Sequence, residues 1–109
     1  MDSQLVTEQT ALPGEGGGLR VVVRLLGVVD LATEPRLRQA LDRALAVPGA
    51  AEIVVDLDRL TLLDSTGIAA LVSAYRSAAA QGAVLSVANA QGMVRRVLEI
   101  TGVLKTLTE

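Results

Sequence analysis

The chain has 109 residues, a formal net charge of −2, a half-apolar composition with a single Tyr, and neither Cys nor His. That length supports one domain around one core, and the missing thiols and imidazoles remove disulfides, thiolate and imidazole catalysis, and the usual zinc or iron ligands. The mild negative charge and scarce aromatics leave no footprint for nucleic acid, and no uncharged run of about 18 apolar residues predicts a membrane span.

The opening Met1-Asp2-Ser3-Gln4 lacks the basic and apolar regions of a secretory signal, which predicts a cytoplasmic chain. Residues 5–12, with Leu5, Val6 and two Thr, give a weak strand signal. Pro13-Gly14-Glu15-Gly16-Gly17-Gly18 then reads as a hairpin connection. The glycines do not match a dinucleotide fingerprint, and no Lys-Ser/Thr pair follows to make a phosphate loop.

Residues 19–26 alternate as a strand, with Val21, Val23 and Leu25 on one face and Arg20, Val22, Arg24 and Leu26 on the other. Residues 27–33 lead into a helix marked by Pro35 in its first turn and by Leu37, Leu41, Ala44 and Leu45 at helical spacing, stopped at Pro48-Gly49. Ile53, Val54 and Val55 read as a buried strand, and residues 56–63 as the segment that follows it. Ile68, Leu71, Val72 and Tyr75 then share one face of a second helix, which Gln81-Gly82 closes. Residues 83–88 supply a further strand. Asn89 is expected to cap a third helix with face Val94, Val97, Leu98 and Thr101, ended by Gly102. The tail from Val103 reads as one more helical turn or a fragment of strand, and Arg95 and Arg96 as a solvated helix face.

This order, a hairpin followed by strand-helix crossovers of the usual right hand, predicts an α/β fold with a four- to five-stranded mixed sheet and helices mainly on one face. Residues 1–18 are expected to belong to the same domain as residues 19–109.

The turn at Asp64-Ser65-Thr66-Gly67 holds three side chains able to accept from the unpaired N–H groups of a helix start, where one would suffice. At least one hydroxyl is therefore expected to face solvent. Gly in a first turn is disfavoured by up to ~1 kcal/mol against Ala, so local stability does not select this tetrad. Asp30 and Asp64 both follow predicted parallel strands, and turns at one sheet edge are the usual place for function in open α/β folds. The remaining acids form no readable catalytic pair, which argues for a binding module with no cofactor and no bound metal rather than an enzyme.

Three segments together resemble STAS domains, specifically the single-domain anti-sigma-factor antagonists of bacteria. They are Gly27-Val28-Val29-Asp30; Val55-Asp56-Leu57 with Leu63-Asp64-Ser65-Thr66-Gly67; and Val94-Arg95-Arg96-Val97-Leu98-Glu99-Ile100-Thr101-Gly102. The resemblance covers residues 19–107. It implies an antagonist that binds a kinase-type anti-sigma factor while unphosphorylated, freeing sigma factor, and that is switched off when that partner phosphorylates Ser65. It also implies a phosphoserine phosphatase as second partner and a contact surface of Asp30, Asp64, Ser65, Thr66 and Gly67, with the oligomeric state left open. Many members carry Gly-Glu-Leu-Asp where this chain has Gly27-Val28-Val29-Asp30, so one acid of that surface is lost. The other reading is a STAS scaffold, or an accessory subunit of a transport ATPase, without a phosphorylation cycle.

Overall fold

A computed structural model describes residues 4–108. Strand β1 (Leu5–Pro13) runs antiparallel to β2 (Leu19–Val29), and the glycine-rich link closes through a bond from Gly14 N–H to the Gly18 carbonyl, with Gly16 and Gly17 at φ 74° and 88°. Those left-handed values explain why glycine stands at both positions. After α1 (Glu34–Leu45) comes β3 (Ala50–Leu63), parallel to β2. It is followed by α2 (Ser65–Ala80), β4 (Val84–Ala88), α3 (Gly92–Ile100) and α4 (Val103–Thr108). The sheet is mixed and four-stranded in the order β1-β2-β3-β4.

Alternation along the strands decides what lies on each face. Leu5, Val21, Val23, Leu25, Ile53, Val55, Leu85 and Val87 are all buried under the helices. Helix α1 packs against α2, α2 against α4, and α4 against α3, which makes a continuous layer. On the opposite face Arg20 pairs with Glu52 at 3.4 Å and Arg24 with Asp56 at 3.6 Å, with half-buried Val22 and Val54 between them. These exposed ion pairs contribute little to stability, at most about 1 kcal/mol each. Their effect is to keep that face wet.

Three features differ from expectation. Strand β3 does not end near Val55 but continues to Leu63, because the segment after Asp56 is bulged rather than irregular. The ladder to β2 shifts between Arg24/Leu26 and again between Gly27/Val28, so β3 carries an extra residue at each place. Each bulge flips the alternation, and buried Leu57, Leu60 and Leu63 recur every third residue instead of every second. At the second bulge the Thr61 hydroxyl donates to the Gly27 carbonyl at 3.0 Å. The second difference is Asn89, which does not cap α3. Gln91 occupies that position without a side-chain cap bond, while Asn89 adopts φ 61° and its Nδ2 donates to Asp56 Oδ1 at 3.1 Å. Asn tolerates this left-handed conformation better than most residues, and the amide ties the end of β4 to β3. Thr101, expected on the buried face of α3, is exposed at its C-terminal cap, its hydroxyl turned back onto the Val97 carbonyl.

Candidate functional site

The turns after β2 and β3 are neighbours. Val29 pairs with Leu63 at the end of the parallel ladder, and Asp64 N–H donates to the Val29 carbonyl at 3.1 Å, so Asp30 and Asp64 leave the same sheet edge side by side.

At the β3 turn Asp64 is the N-cap of α2, in extended conformation. Its Oδ1 accepts from Thr66 N–H at 3.0 Å, Gly67 N–H at 3.2 Å and the Thr66 hydroxyl at 2.6 Å. Three donors on one carboxylate oxygen fix the rotamers of both Asp64 and Thr66. Ser65, the first helical residue, is exposed, and among the described residues nothing bonds its hydroxyl. The free hydroxyl expected at this turn is thus that of Ser65. Gly67 is buried, and a Cβ there would come within 2.5 Å of Leu63 Cδ1 and of Val29 Cγ1. The glycine lets the start of α2 lie directly on the ends of β2 and β3, and it is this backbone approach that sets the height of Ser65 above the edge.

At the β2 turn Asp30 and Thr33 hold each other. Asp30 N–H donates to Thr33 Oγ1 at 3.0 Å and Thr33 N–H to Asp30 Oδ1 at 3.1 Å, while the Thr33 hydroxyl donates to the Val28 carbonyl at 2.8 Å. This is the reciprocal logic of a capping box, and Glu34 N–H bonding the Asp30 carbonyl at 2.8 Å continues it into α1. Thr33 is 3% exposed and the one buried polar residue among those described. Asp30 therefore has a structural duty that its position after a strand did not reveal, and Thr33, its partner, was missed. The signal was present as Asp30-x-x-Thr33 ahead of Pro35.

Two exposed leucines were also missed. Leu31, directly after Asp30, is 74% exposed, and Leu62, just before Leu63-Asp64, is 39% exposed. The doublet Leu62-Leu63 announced that one of the pair must face outward. Asp30, Asp64 and Ser65 thus stand among apolar side chains that a partner could cover. The turn contains one carboxylate, occupied by three donors, and two hydroxyls, and among the described residues no group of three or more acids is placed to hold a metal ion. Nor is any described helix long and apolar enough to cross a membrane.

A parallel β2-β3 pair with two capped turns at its carboxyl edge, an exposed serine on one of them, and a helical layer on one face define a small α/β binding domain. The STAS domain family model matches residues 11–108, and the chain belongs to that family. It is 28% identical over 87 residues to an anti-sigma F factor antagonist of Paenibacillus polymyxa, covering 80% of this chain and 74% of that one. It is 32% identical over 92 residues to a STAS-domain containing protein of Pseudomonas aeruginosa (strain UCBPP-PA14), covering 84% and 88%. Among solved structures, an anti-sigma factor antagonist from Mycobacterium paratuberculosis superposes with a TM-score of 0.77 at 28% identity, covering 95% of this chain and 83% of that one.

Proposed function

We propose that this protein is an anti-sigma-factor antagonist whose contact surface is the pair of turns at Asp30 and Asp64-Ser65-Thr66-Gly67, and whose switch is phosphorylation of Ser65. The observation that carries the reading is the unequal state of two adjacent hydroxyls: Thr66 is bonded to Asp64 at 2.6 Å, whereas Ser65 is exposed with no bond. A kinase needs a hydroxyl that can enter its site and give up its proton as the oxygen takes the γ-phosphoryl of ATP. Ser65 meets that need without dismantling the cap, and Thr66 does not. The names of two relatives, one from Paenibacillus polymyxa and one from Mycobacterium paratuberculosis, support an anti-sigma factor as the partner.

The switch follows from charge. Phosphate adds about −1.5 to −2 at neutral pH, beside Asp64 and on the edge shared with Asp30. In the free protein water and the positive end of the α2 dipole offset this. The amides of Thr66 and Gly67 do not, since Asp64 already holds them. Beneath a docked partner the same charge would be desolvated next to two carboxylates, so phosphorylation weakens binding far more than folding. A phosphoserine phosphatase then restores the binding form.

The test is to incubate the protein and a cognate anti-sigma factor with ATP, map phosphate by mass spectrometry and measure binding before and after. Ser65→Ala should bind and take no phosphate, Ser65→Glu should bind more weakly, and Thr66→Ala should still be phosphorylated. Phosphate on Thr66, or equal labelling of Ser65→Ala, overturns the assignment. Stable assembly with Ser65 left unmodified would favour the scaffold reading.

A further inference from the structure

The sheet has two edges, and they are not equally protected. Strand β4 spans only Val84–Ala88, whereas β1 runs regularly from Leu5 to Pro13 with no register shift against β2 and contains no Lys. Long regular edges without bulges or lysines are ready templates for strand addition, and folded proteins ordinarily blunt them. Such devices on β1 are few: Glu8, the terminal Pro13 and, over the Leu5 carbonyl, Arg36 of α1.

The phase of the ladder shows which groups face outward. Val28 N–H donates to the Gln4 carbonyl, which assigns the even-numbered residues of β1 to bonds with β2. The odd residues then direct their N–H and C=O away from the sheet. An independent contact agrees, since the outward carbonyl of Leu5 is taken by Arg36 Nη1 at 3.2 Å. Thr7, Gln9 and Ala11 remain with outward backbone groups that no described strand meets.

We propose that this edge pairs with the same edge of a second copy of the chain, antiparallel about a two-fold axis at Gln9. In that register Gln9 exchanges both backbone bonds with Gln9 of the second copy, and Thr7 does so with Ala11 on either side. Val6, 55% exposed, falls opposite Leu12, 46% exposed, and the symmetry repeats that contact. Glu8 falls opposite Thr10, with Arg24 across from it on β2. A dyad one residue earlier would set Glu8 against Glu8, which like-charge repulsion disfavours. The pairing about Gln9 is self-complementary, as an isologous interface requires, and avoids that like-charge contact. The product is a continuous eight-stranded sheet. Its dyad lies far from β3, so each copy keeps its Ser65 turn free, and the two turns point to opposite ends of the sheet.

The experiment uses the full chain and the absence of native cysteine. Paired residues that exchange both bonds have Cα atoms about 5.5 Å apart, within the disulfide range of about 4.4–6.8 Å. Gln9→Cys should therefore cross-link to itself under mild oxidation with diamide, at least tenfold faster than Thr10→Cys, whose partner is Glu8. Sedimentation equilibrium should show the mass rising with concentration from 11.3 kDa towards twice that value. Gln9→Pro, which removes an outward N–H and no bond to β2, should abolish the rise while circular dichroism stays unchanged. A monomer at every concentration up to the millimolar range overturns the proposal. So does equal cross-linking at positions 9 and 10, or a dimer that survives Gln9→Pro with its fold intact. Phosphorylation of Ser65 reads the switch separately and is expected in either oligomeric state.

Discussion

Replacing Gly67 by alanine sets two effects of opposite sign against each other. Helix propensity favours Ala by about 1 kcal/mol at an interior position. The added methyl, however, would lie 2.5 Å from both Leu63 Cδ1 and Val29 Cγ1, where carbon atoms are comfortable at about 3.5–4.0 Å. Leu63 can swing its terminal methyl, but Val29 is β-branched, fully buried and stiff about χ1. Overpacking costs about 1–3 kcal/mol, and two contacts at 2.5 Å at once, one of them on a stiff side chain, place this case in the upper part of that range, about 2–3 kcal/mol, so the clash wins and the net loss should be about 1–2 kcal/mol. Urea unfolding followed by far-ultraviolet circular dichroism measures it. With a slope of about 1–3 kcal/mol per molar, the midpoint should fall by roughly 0.3–2 M. Ala69→Gly, at an exposed site on the same helix, isolates the propensity term and should cost about 1 kcal/mol. A Gly67→Ala protein as stable as the original or more so would refute the close approach between α2 and the two strand ends.

Three further outcomes follow from the same contacts. Leu71, fully buried in α2, should cost about 2–5 kcal/mol on truncation to Ala. A change under ~0.5 kcal/mol in the unfolding midpoint, typical of surface sites, would remove it from the core. Asp30→Ala removes the Oδ1 acceptor of Thr33 N–H, while the backbone N–H of residue 30 keeps its bond to Thr33 Oγ1, and should lose about 0.5–2 kcal/mol of stability. Asp30→Asn keeps the acceptor and removes the charge, so calorimetric titration with the anti-sigma factor should show altered affinity at a nearly constant midpoint. Loss of the midpoint with Asn as well would assign Asp30 to folding alone. Asp64→Ala removes the acceptor of three donors and should cost about 1–2 kcal/mol in the same unfolding assay.

Much of this architecture was legible because its signals are local. Val21, Val23 and Leu25 alternate and are buried; Pro35, Pro48-Gly49 and Gln81-Gly82 stand where α1 and α2 start or stop. The distal half of β3 was not legible, because two bulges replace a period of two with leucines three apart, a spacing foreign to a regular strand and nearer to that of a helix. Asn89 was misassigned because its side chain reaches across the sheet to Asp56 rather than forward to α3, and no local pattern encodes a bond between strands. The tail stayed open between helix and strand for a similar reason: Leu107 is fully buried, so α4 is fixed by what it packs on. At the site the sequence located the turn and its surplus of polar groups. Only coordinates distribute them, with Asp64 and Thr66 closed on each other and Ser65 left out.

The unequal lengths of β3 and β4 have a mechanical consequence. Pairing with β4 ends at Asp56 and Ala88, yet β2 accompanies β3 as far as Leu63 and β1 accompanies β2 as far as Gly27, so both turns ride at the tip of a three-stranded extension that projects past β4. A strip of this width needs an apolar face to be stable in water. This one is pinned from one side by Leu57, Leu60 and Leu63 and at its root by the Gln91 amide on the Asp58 carbonyl. The extension sets the proposed contact surface apart from the packed body. Under the proposed function the outward residues of the tip, Leu31 and Leu62, can be exchanged to suit a different partner while Ser65 keeps the switch and the four-stranded body keeps its packing. One scaffold can in this way be diversified by drift at a handful of positions whose loss the core never feels.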